Sequence, residues 1–309
     1  RHLAGPKQDR MLSLQRAATC CCRQGRSYCW GATAFATGRR SHRTQAARTM
    51  TALEIERVPC LSDNYSWLVH DPASGLTAVV DPAEQQPVEA ALKAKGWSLH
   101  YIWNTHHHAD HVGANTRLKA SHAGLRIIGP KADEARIPGI DQAVADGDTF
   151  KLGGVEVRVF DTPGHTRGHI TFHVPVADAL FPGDTLFALG CGRLFEGTPQ
   201  QMWASLSKLL PLPDATRVFC AHEYTQSNAR FAVAVDSGNA ALAARKAAID
   251  DLRAKGIPTV PSTLGEEKAT NPFLRPHDPA LRAAMGLGPD APDWQVFGAV
   301  RAAKDSFRG

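Results

Sequence analysis

Four side chains that ligate metals fall within six positions in the run Thr105-His106-His107-His108-Ala109-Asp110-His111: His106, His108, Asp110 and His111. His165, Asp184 and His222 follow at wide intervals, each at the end of an apolar run that reads as a strand. Neutral imidazoles and carboxylates hold zinc, iron or manganese. A metal so held lowers the pKa of bound water to about 7, which supplies a nucleophile at neutral pH. A solvated His-rich loop without chemistry would account for the first run alone. It leaves the three later residues unexplained, because a sheet can bring strand ends to one edge.

The elements that must position these residues begin after residue 49. Leu53–Val58, Tyr65–His70 and Leu76–Val80 read as short strands parted by Ser62-Asp63-Asn64 and Asp71-Pro72, both turn signals. Pro87–Lys95 reads as a helix closed by Gly96. Tyr101–Asn104 is the strand before the His run, placed so that a tight loop points alternate side chains the same way. A helix over Val112–Ala120 and a strand over Arg126–Gly129 follow. Thr149–Leu152 and Val155–Asp161 flank Gly153-Gly154, a hairpin signal. Ile170–Val174, Ala179–Phe181 and Arg217–Cys220 read as strands, with an amphipathic helix over Gln200–Leu210. Strands followed by helices, repeated twice, predict two packed sheets with helices outside. After His222 the pattern turns helical, over Gln226–Val235, Ala240–Lys255, Asp278–Met285 and Asp293–Phe307, with a linker from Pro258 to Arg275. The reading is a metal-binding domain over 50–223 and a helical domain over 224–309.

The net charge of +5 is unevenly spread. Residues 1–49 hold ten Lys and Arg against one acid, Asp9, leaving 25 basic and 29 acidic residues in the rest. The basic balance therefore belongs to that leader, and the acidic body gives no support to nucleic-acid binding. The leader is rich in Arg, Ala, Ser and Thr, a transit-peptide composition. The competing reading is untranslated sequence before a start at Met50. The first implies the mitochondrial matrix, the second the cytoplasm, and both exclude residues 1–49 from the fold. The Cys20-Cys21-Cys22 triplet lacks a second cysteine pair at finger spacing. Cys60, Cys191 and Cys220 are too scattered for a disulfide framework, which suits a reducing compartment. No apolar run approaches the roughly 18 residues of a spanning helix.

From Leu53 to Phe307 the chain resembles the metallo-β-lactamase superfamily and, within it, the hydroxyacylglutathione hydrolases (glyoxalase II). The likeness rests on Leu61-Ser62-Asp63-Asn64-Tyr65, the T-H-x-H-x-D-H run, Thr162-Pro163-Gly164-His165-Thr166-Arg167-Gly168-His169, Phe181-Pro182-Gly183-Asp184, Gly190-Cys191-Gly192-Arg193-Leu194-Phe195-Glu196-Gly197 and Ala221-His222-Glu223-Tyr224. It implies a four-layer αββα fold with a C-terminal helical domain. It also implies two divalent metal ions, zinc foremost with iron or manganese as alternatives. His106, His108 and His165 would hold one ion and Asp110, His111 and His222 the other, with Asp184 bridging. A hydroxide shared by the ions, beside Asp110 and Asp184, would attack the thioester carbonyl.

The same resemblance implies glutathione recognition by Arg193, Phe195, Tyr224, Arg301 and Lys304. Phe195 stands where some members carry Tyr and cannot supply a phenolic hydrogen bond, so that contact is either lost or made by backbone. Asn271-Pro272-Phe273-Leu274-Arg275 reads as a clasp between domains. His107 is expected to point away from its ligand neighbours, His169 to orient the site, and His173 to pack in a strand. His70, His100, His122 and His277 are expected at the surface or in loops. The expected reaction is hydrolysis of S-(2-hydroxyacyl)glutathione thioesters, chiefly S-D-lactoylglutathione, with no nucleic acid, membrane or obligate protein partner. The rivals are a mononuclear iron persulfide dioxygenase on the same fold, a lactonase or β-lactamase, and a non-catalytic binding protein.

Overall fold

The computed structural model describes residues 52–309. The first sheet runs in the order β1 (Glu54–Cys60), β2 (Asn64–Asp71), β3 (Leu76–Val80), β4 (Tyr101–Trp103), β5 (Arg126–Pro130) and β6 (Gln142–Val144). The second joins β7 (Thr149–Leu152), β8 (Val155–Asp161), β9 (Ile170–Val174) and β10 (Ala179–Phe181) to β13 (Arg217–Val218) and β14 (Ser262–Thr263). A two-stranded hairpin, β11 (Leu186–Phe187) and β12 (Gly190–Cys191), lies between β10 and β13 in sequence.

Side-chain alternation decides what each face buries. On β2, Tyr65, Trp67 and Val69 enter the core between the sheets, with Trp103, Phe172 and Phe181, while Leu68 points the other way. That outer face is covered by α1 (Gln85–Lys95) and α3 (Asn115–Ser121) through Val88, Leu92 and Leu118. β8 alternates buried Val155, Val157 and Val159 with exposed Glu156 and Arg158. Outside the second sheet, α4 (Pro199–Leu209), α5 (Thr225–Val235) and α9 (Asp293–Ser306) share a core containing Met202, Leu206, Phe231, Phe297 and Val300. α6 (Ala240–Ala254) packs on α5 through Leu242 and Ile249, and α7 (Leu264–Thr270) and α8 (Pro279–Ala284) complete the helices.

The structure departs from the sequence expectations at four places. The helix expected over Val112–Ala120 is divided: α2 (Ala109–Val112) stops at Gly113, where a Cβ would lie 2.7 Å from the carbonyl oxygens of Ala109 and Ala83. Asp110 and His111 thus ride on a helical turn, while His106 and His108 lie in the loop before it. The stretch expected as a linker carries β14 and α7. The start of α7 is fixed by a capping box between Thr263 and Glu266. Because β14 pairs antiparallel with β13, strands do not end at His222. His70, expected at the surface, is buried on β2, stacked on Trp97 with its Nδ1 2.9 Å from the Thr77 hydroxyl. Residues 1–49, with the leader and the Cys20-Cys21-Cys22 readings, lie outside the described residues. Among the described residues no helix is long and apolar enough to cross a membrane, and Cys60, Cys191 and Cys220 are free thiols.

Candidate active site

Loops leaving β4, β8, β10 and β13 deliver the chemistry-bearing residues to one end of the sheets. There Tyr65 N donates to Ala221 O at 2.7 Å and Trp67 Nε1 to Cys220 O at 3.0 Å, which ties the two sheets together. His108 Nδ1 lies 3.0 Å from His106 Nε2 and 3.0 Å from His165 Nε2, so three ring nitrogens converge. Beside them, His111 Nε2 and His222 Nε2 each lie 3.5 Å from Asp110 Oδ2. Asp184 reaches both groups: its Oδ1 is 3.4 Å from His111 Nε2 and from His222 Nε2, and its Oδ2 is 3.4 Å from His165 Nε2. Metal–nitrogen bonds of about 2.0–2.1 Å put tetrahedral donors roughly 3.3 Å apart, the spacing found here.

Partners behind the rings fix which nitrogen faces inward. His111 Nδ1 meets Asp81 at 3.0 Å, His222 Nδ1 meets Asp63 at 2.9 Å, His165 Nδ1 meets the Arg193 carbonyl at 2.8 Å, and His106 Nδ1 lies 3.1 Å from the Thr105 hydroxyl. Asp81 also accepts from Thr105 N and Oγ1. Its proximity to His106 and His111 would allow it to join a metal cluster. With both oxygens already engaged, it serves instead as the holder of His111. Asn64 Nδ2 donates to Asp110 Oδ2 at 3.0 Å. His169 accepts from Asp184 N through Nε2 at 3.1 Å and meets the Thr162 and Thr185 hydroxyls through Nδ1.

Charge follows the same plan. Burial and the neighbouring imidazoles push His106 well below the usual imidazole value and His108 down to about 4. Burial also lowers His165, against the pull of Asp184. His111 is pushed the other way, to about 9, because Asp184, Asp81 and Asp110 together outweigh its burial. Burial works against ionised Asp184 too, but His111, His222 and His165 hold its carboxyl far below the usual range. His111 Nε2 and Asp184 Oδ1 are buried with no hydrogen-bond partner. Orphaned atoms aimed at one point, among donors at ligand spacing, fit metal ions rather than a self-satisfied polar core. The clusters make a divalent metal site.

The donors open into a cavity of about 590 Å³. Asp184, His165 and His222 line its floor, with Phe187, Phe195 and Tyr224 on the walls. Tyr224 stacks on His222 with centroids 4.6 Å apart and planes 5° from parallel. Burial and the carboxylates of Asp63, Asp184 and Asp110 raise its phenol, so it stays a hydrogen-bond donor. Arg193, Arg301, Lys304 and Arg308 line the cavity together with the acids Asp110, Asp184 and Asp305.

Residues 62–222 match the family described as the metallo-beta-lactamase superfamily, and residues 223–307 match the hydroxyacylglutathione hydrolase C-terminus. The chain is 56% identical over 257 residues to a hydroxyacylglutathione hydrolase of Methylococcus capsulatus, an alignment spanning 83% of this chain and 100% of that one. It is 52% identical over 258 residues to a hydroxyacylglutathione hydrolase of Maricaulis maris, spanning 84% and 100%. This chain belongs to the hydroxyacylglutathione hydrolase family. The crystal structure of the B3 metallo-β-lactamase BLEG-1 superposes with a TM-score of 0.55 at 21% identity, over 72% of this chain and 100% of that one. That likeness shows the fold alone, the four-layer αββα arrangement, to which this family adds C-terminal helices.

As a hydroxyacylglutathione hydrolase family member, the chain places its expected residues unevenly. His106, His108, Asp110, His111, His165, Asp184 and His222 come together as donors. Phe195 stands over them, edge to face with His165 and His108, and is exposed. Arg301, expected with Lys304 to recognise glutathione, is buried: it donates to Cys191 O at 2.9 Å and to Asp305 at 2.8 Å. Lys304 donates to Ser227 O at 3.1 Å. Burial and the nearby Arg301, Arg230 and Arg193 charges lower its ammonium to about 8. His107 turns from the donors toward Asp133, as expected. Two holders of the imidazoles are not foreseen from sequence: Asp63 reads only as a turn residue, and Asp81 is given no role. The only signal was position: each immediately follows or precedes a strand that ends at the cluster.

Proposed function

We propose that this chain hydrolyses S-(2-hydroxyacyl)glutathione thioesters, with S-D-lactoylglutathione the principal substrate and glutathione and D-lactate the products. The observation that carries the reading is one cavity in which a seven-residue donor set opens onto a cationic wall. His106, His108 and His165 would hold one divalent ion and Asp110, His111 and His222 a second, with Asp184 shared; zinc fits, as do iron and manganese. When bound, such ions lower the pKa of water to about 7 and polarise an acyl carbonyl.

The chain's own residues supply the rest. Asp81, Asp63 and Thr105 hold the imidazoles before substrate arrives, so no reorganisation is needed during the reaction. Asp110 and Asp184 are both held as carboxylates and cannot donate a proton to the departing group. None is required, since a thiol with a pKa of about 8.5 leaves readily as thiolate. Tyr224 and Phe195 wall the acyl end. Lys304, Arg193 and the remaining donors of Arg301 face the carboxylates of the glutathione portion. A mononuclear iron dioxygenase would leave the Asp110, His111 and His222 group without a role.

Thiol release from S-D-lactoylglutathione, abolished by chelation and restored by divalent metal, tests the proposal. Oxygen uptake with glutathione persulfide, without thioester hydrolysis, would overturn it. The basic residues 1–49 support a mitochondrial-matrix location if they form a transit segment and a cytoplasmic one otherwise; a reporter fusion separates the two.

A further inference from the structure

Beside the donors lies a second polar cluster that the proposed chemistry does not use. Asp133 is fully buried at its centre. Arg136 donates to Asp133 through Nε at 3.1 Å and through Nη2, and grips both oxygens of Glu196, Nη1 to Oε1 at 2.5 Å and Nη2 to Oε2 at 3.1 Å. Glu196 also accepts from Arg167 N at 2.8 Å. His107 meets Asp133 through Nδ1 at 3.0 Å and accepts from Arg136 Nη1 through Nε2 at 3.1 Å. Gly168 closes the packing: a Cβ there would lie 2.2 Å from Asp133 Cγ.

The four segments so joined are the His106–His108 loop, the turn over Lys131–Arg136, the loop over His165–Arg167, and the loop bearing Arg193 and Phe195. The first and third carry metal donors, and the last carries the mouth of the cavity. Contacts along the same seam, His165 Nδ1 to Arg193 O at 2.8 Å, Phe195 N to His165 O at 3.3 Å and Gly197 N to Gly164 O at 3.0 Å, tie the loop's backbone to the segment around His165, and the Glu196 side chain adds its tie to Arg136 and, through it, to Asp133.

We infer that Arg136 is a positioning residue for substrate recognition: through Glu196 it braces the Arg193–Glu196 loop against the metal-ligand loops and so fixes where Phe195 and Arg193 stand. A planar guanidinium suits the task, because its fork meets a carboxylate with two parallel bonds while its remaining donors reach Asp133. Neither Arg136 nor Glu196 lines the cavity, so their effect passes through the loop. The inference rests on the thioesterase reading for its kinetic consequence, though not for its structural one.

The test uses Arg136→Met and Glu196→Gln, singly and together, with metal content and melting temperature recorded. Each single change should raise KM for S-D-lactoylglutathione about tenfold through misplacement of the loop. It should leave kcat, and hydrolysis of a short thioester lacking the peptide, within about twofold. The double variant should be no worse than either single one, since both break one link. Arg136→Lys should restore part of the loss. Amide hydrogen exchange over residues 193–197 should quicken in both single variants, whether or not the thioester is a substrate. Unchanged exchange there overturns the brace even if the wild-type protein proves not to hydrolyse the thioester. Losses that multiply in the double variant, or that fall equally on both substrates along with metal and melting temperature, overturn it as well.

Discussion

At the floor of the cavity, His106, His111, His165 and His222 each have the second ring nitrogen held by a neighbour, and His106 and His111 are almost wholly buried. At the mouth, Phe195 is 62% exposed and the Arg193 side chain 69% exposed. The floor is built from short side chains at strand ends, each fixed from behind. The mouth is built from long side chains on a loop and the last helix. Buried donors with fixed partners gain their strength from low dielectric and lack of rearrangement. At the mouth Arg193 acts in water and Lys304 is only half-buried, so each contact they make is weaker and more easily replaced. Damage to the floor should therefore strike turnover and metal binding, and damage to the mouth should strike KM.

The sharpest separation comes from Asp184→Asn. It removes the one anion that reaches both donor groups, so metal content should fall and kcat should drop by roughly three orders of magnitude. Near-normal turnover with full metal, read by elemental analysis on the assayed sample, would break the distinction. Asp81→Ala comes next. It touches no substrate, yet it frees the His111 ring and should cost about 10–100-fold in metal affinity. A competition titration with a chelator measures this, and unchanged affinity would mean that packing alone orients His111.

At the mouth the effects are smaller. Lys304→Ala should reduce kcat/KM for the glutathione thioester about tenfold, the loss of one charge-assisted bond of roughly 1.5–3 kcal/mol tempered by solvent. A short thioester should be unaffected. Adding Arg301→Ala confounds the reading, because Arg301 also supports the Cys191 carbonyl. The smallest effect is a pH dependence. Burial and nearby cations depress the Lys304 ammonium to about 8. It is charged below that pH and loses its charge as pH rises through it, so KM should climb above about pH 8 while kcat holds. Lys304→Arg should flatten the climb, because a guanidinium remains charged there. A profile identical in both proteins would show that another group titrates.

The sequence carried the floor more clearly than the mouth, and the reason is distance along the chain. The T-H-x-H-x-D-H run is local, and its neighbours end strands whose apolar alternation is plain in Tyr65–Val69 and Val155–Val159. Asp81 and Asp63 were hidden because Asp-Pro and Ser-Asp-Asn are turn signals in their own right. Asp81 does sit in a turn, at φ 48°, while its carboxylate works on a ring thirty positions later. Arg301 and Lys304 share a helical face, as their spacing requires, but the burial of Arg301 depends on β12, more than a hundred residues away. β14 has only two residues and no period to read. Arg136 and Glu196 are ordinary charged residues in sequence. Only folding shows them paired across sixty positions.

A two-ion metal floor joined in one cavity to a glutathione-recognising mouth is the proposed basis of the activity. Its most direct test is metal analysis and S-D-lactoylglutathione hydrolysis measured on the same purified sample as divalent metal is titrated into chelator-stripped protein. The expected result is turnover that rises with metal up to two ions per chain, accompanied by release of glutathione and D-lactate. Two bound ions with no thioester hydrolysis, or full turnover reached with a single ion, would contradict it.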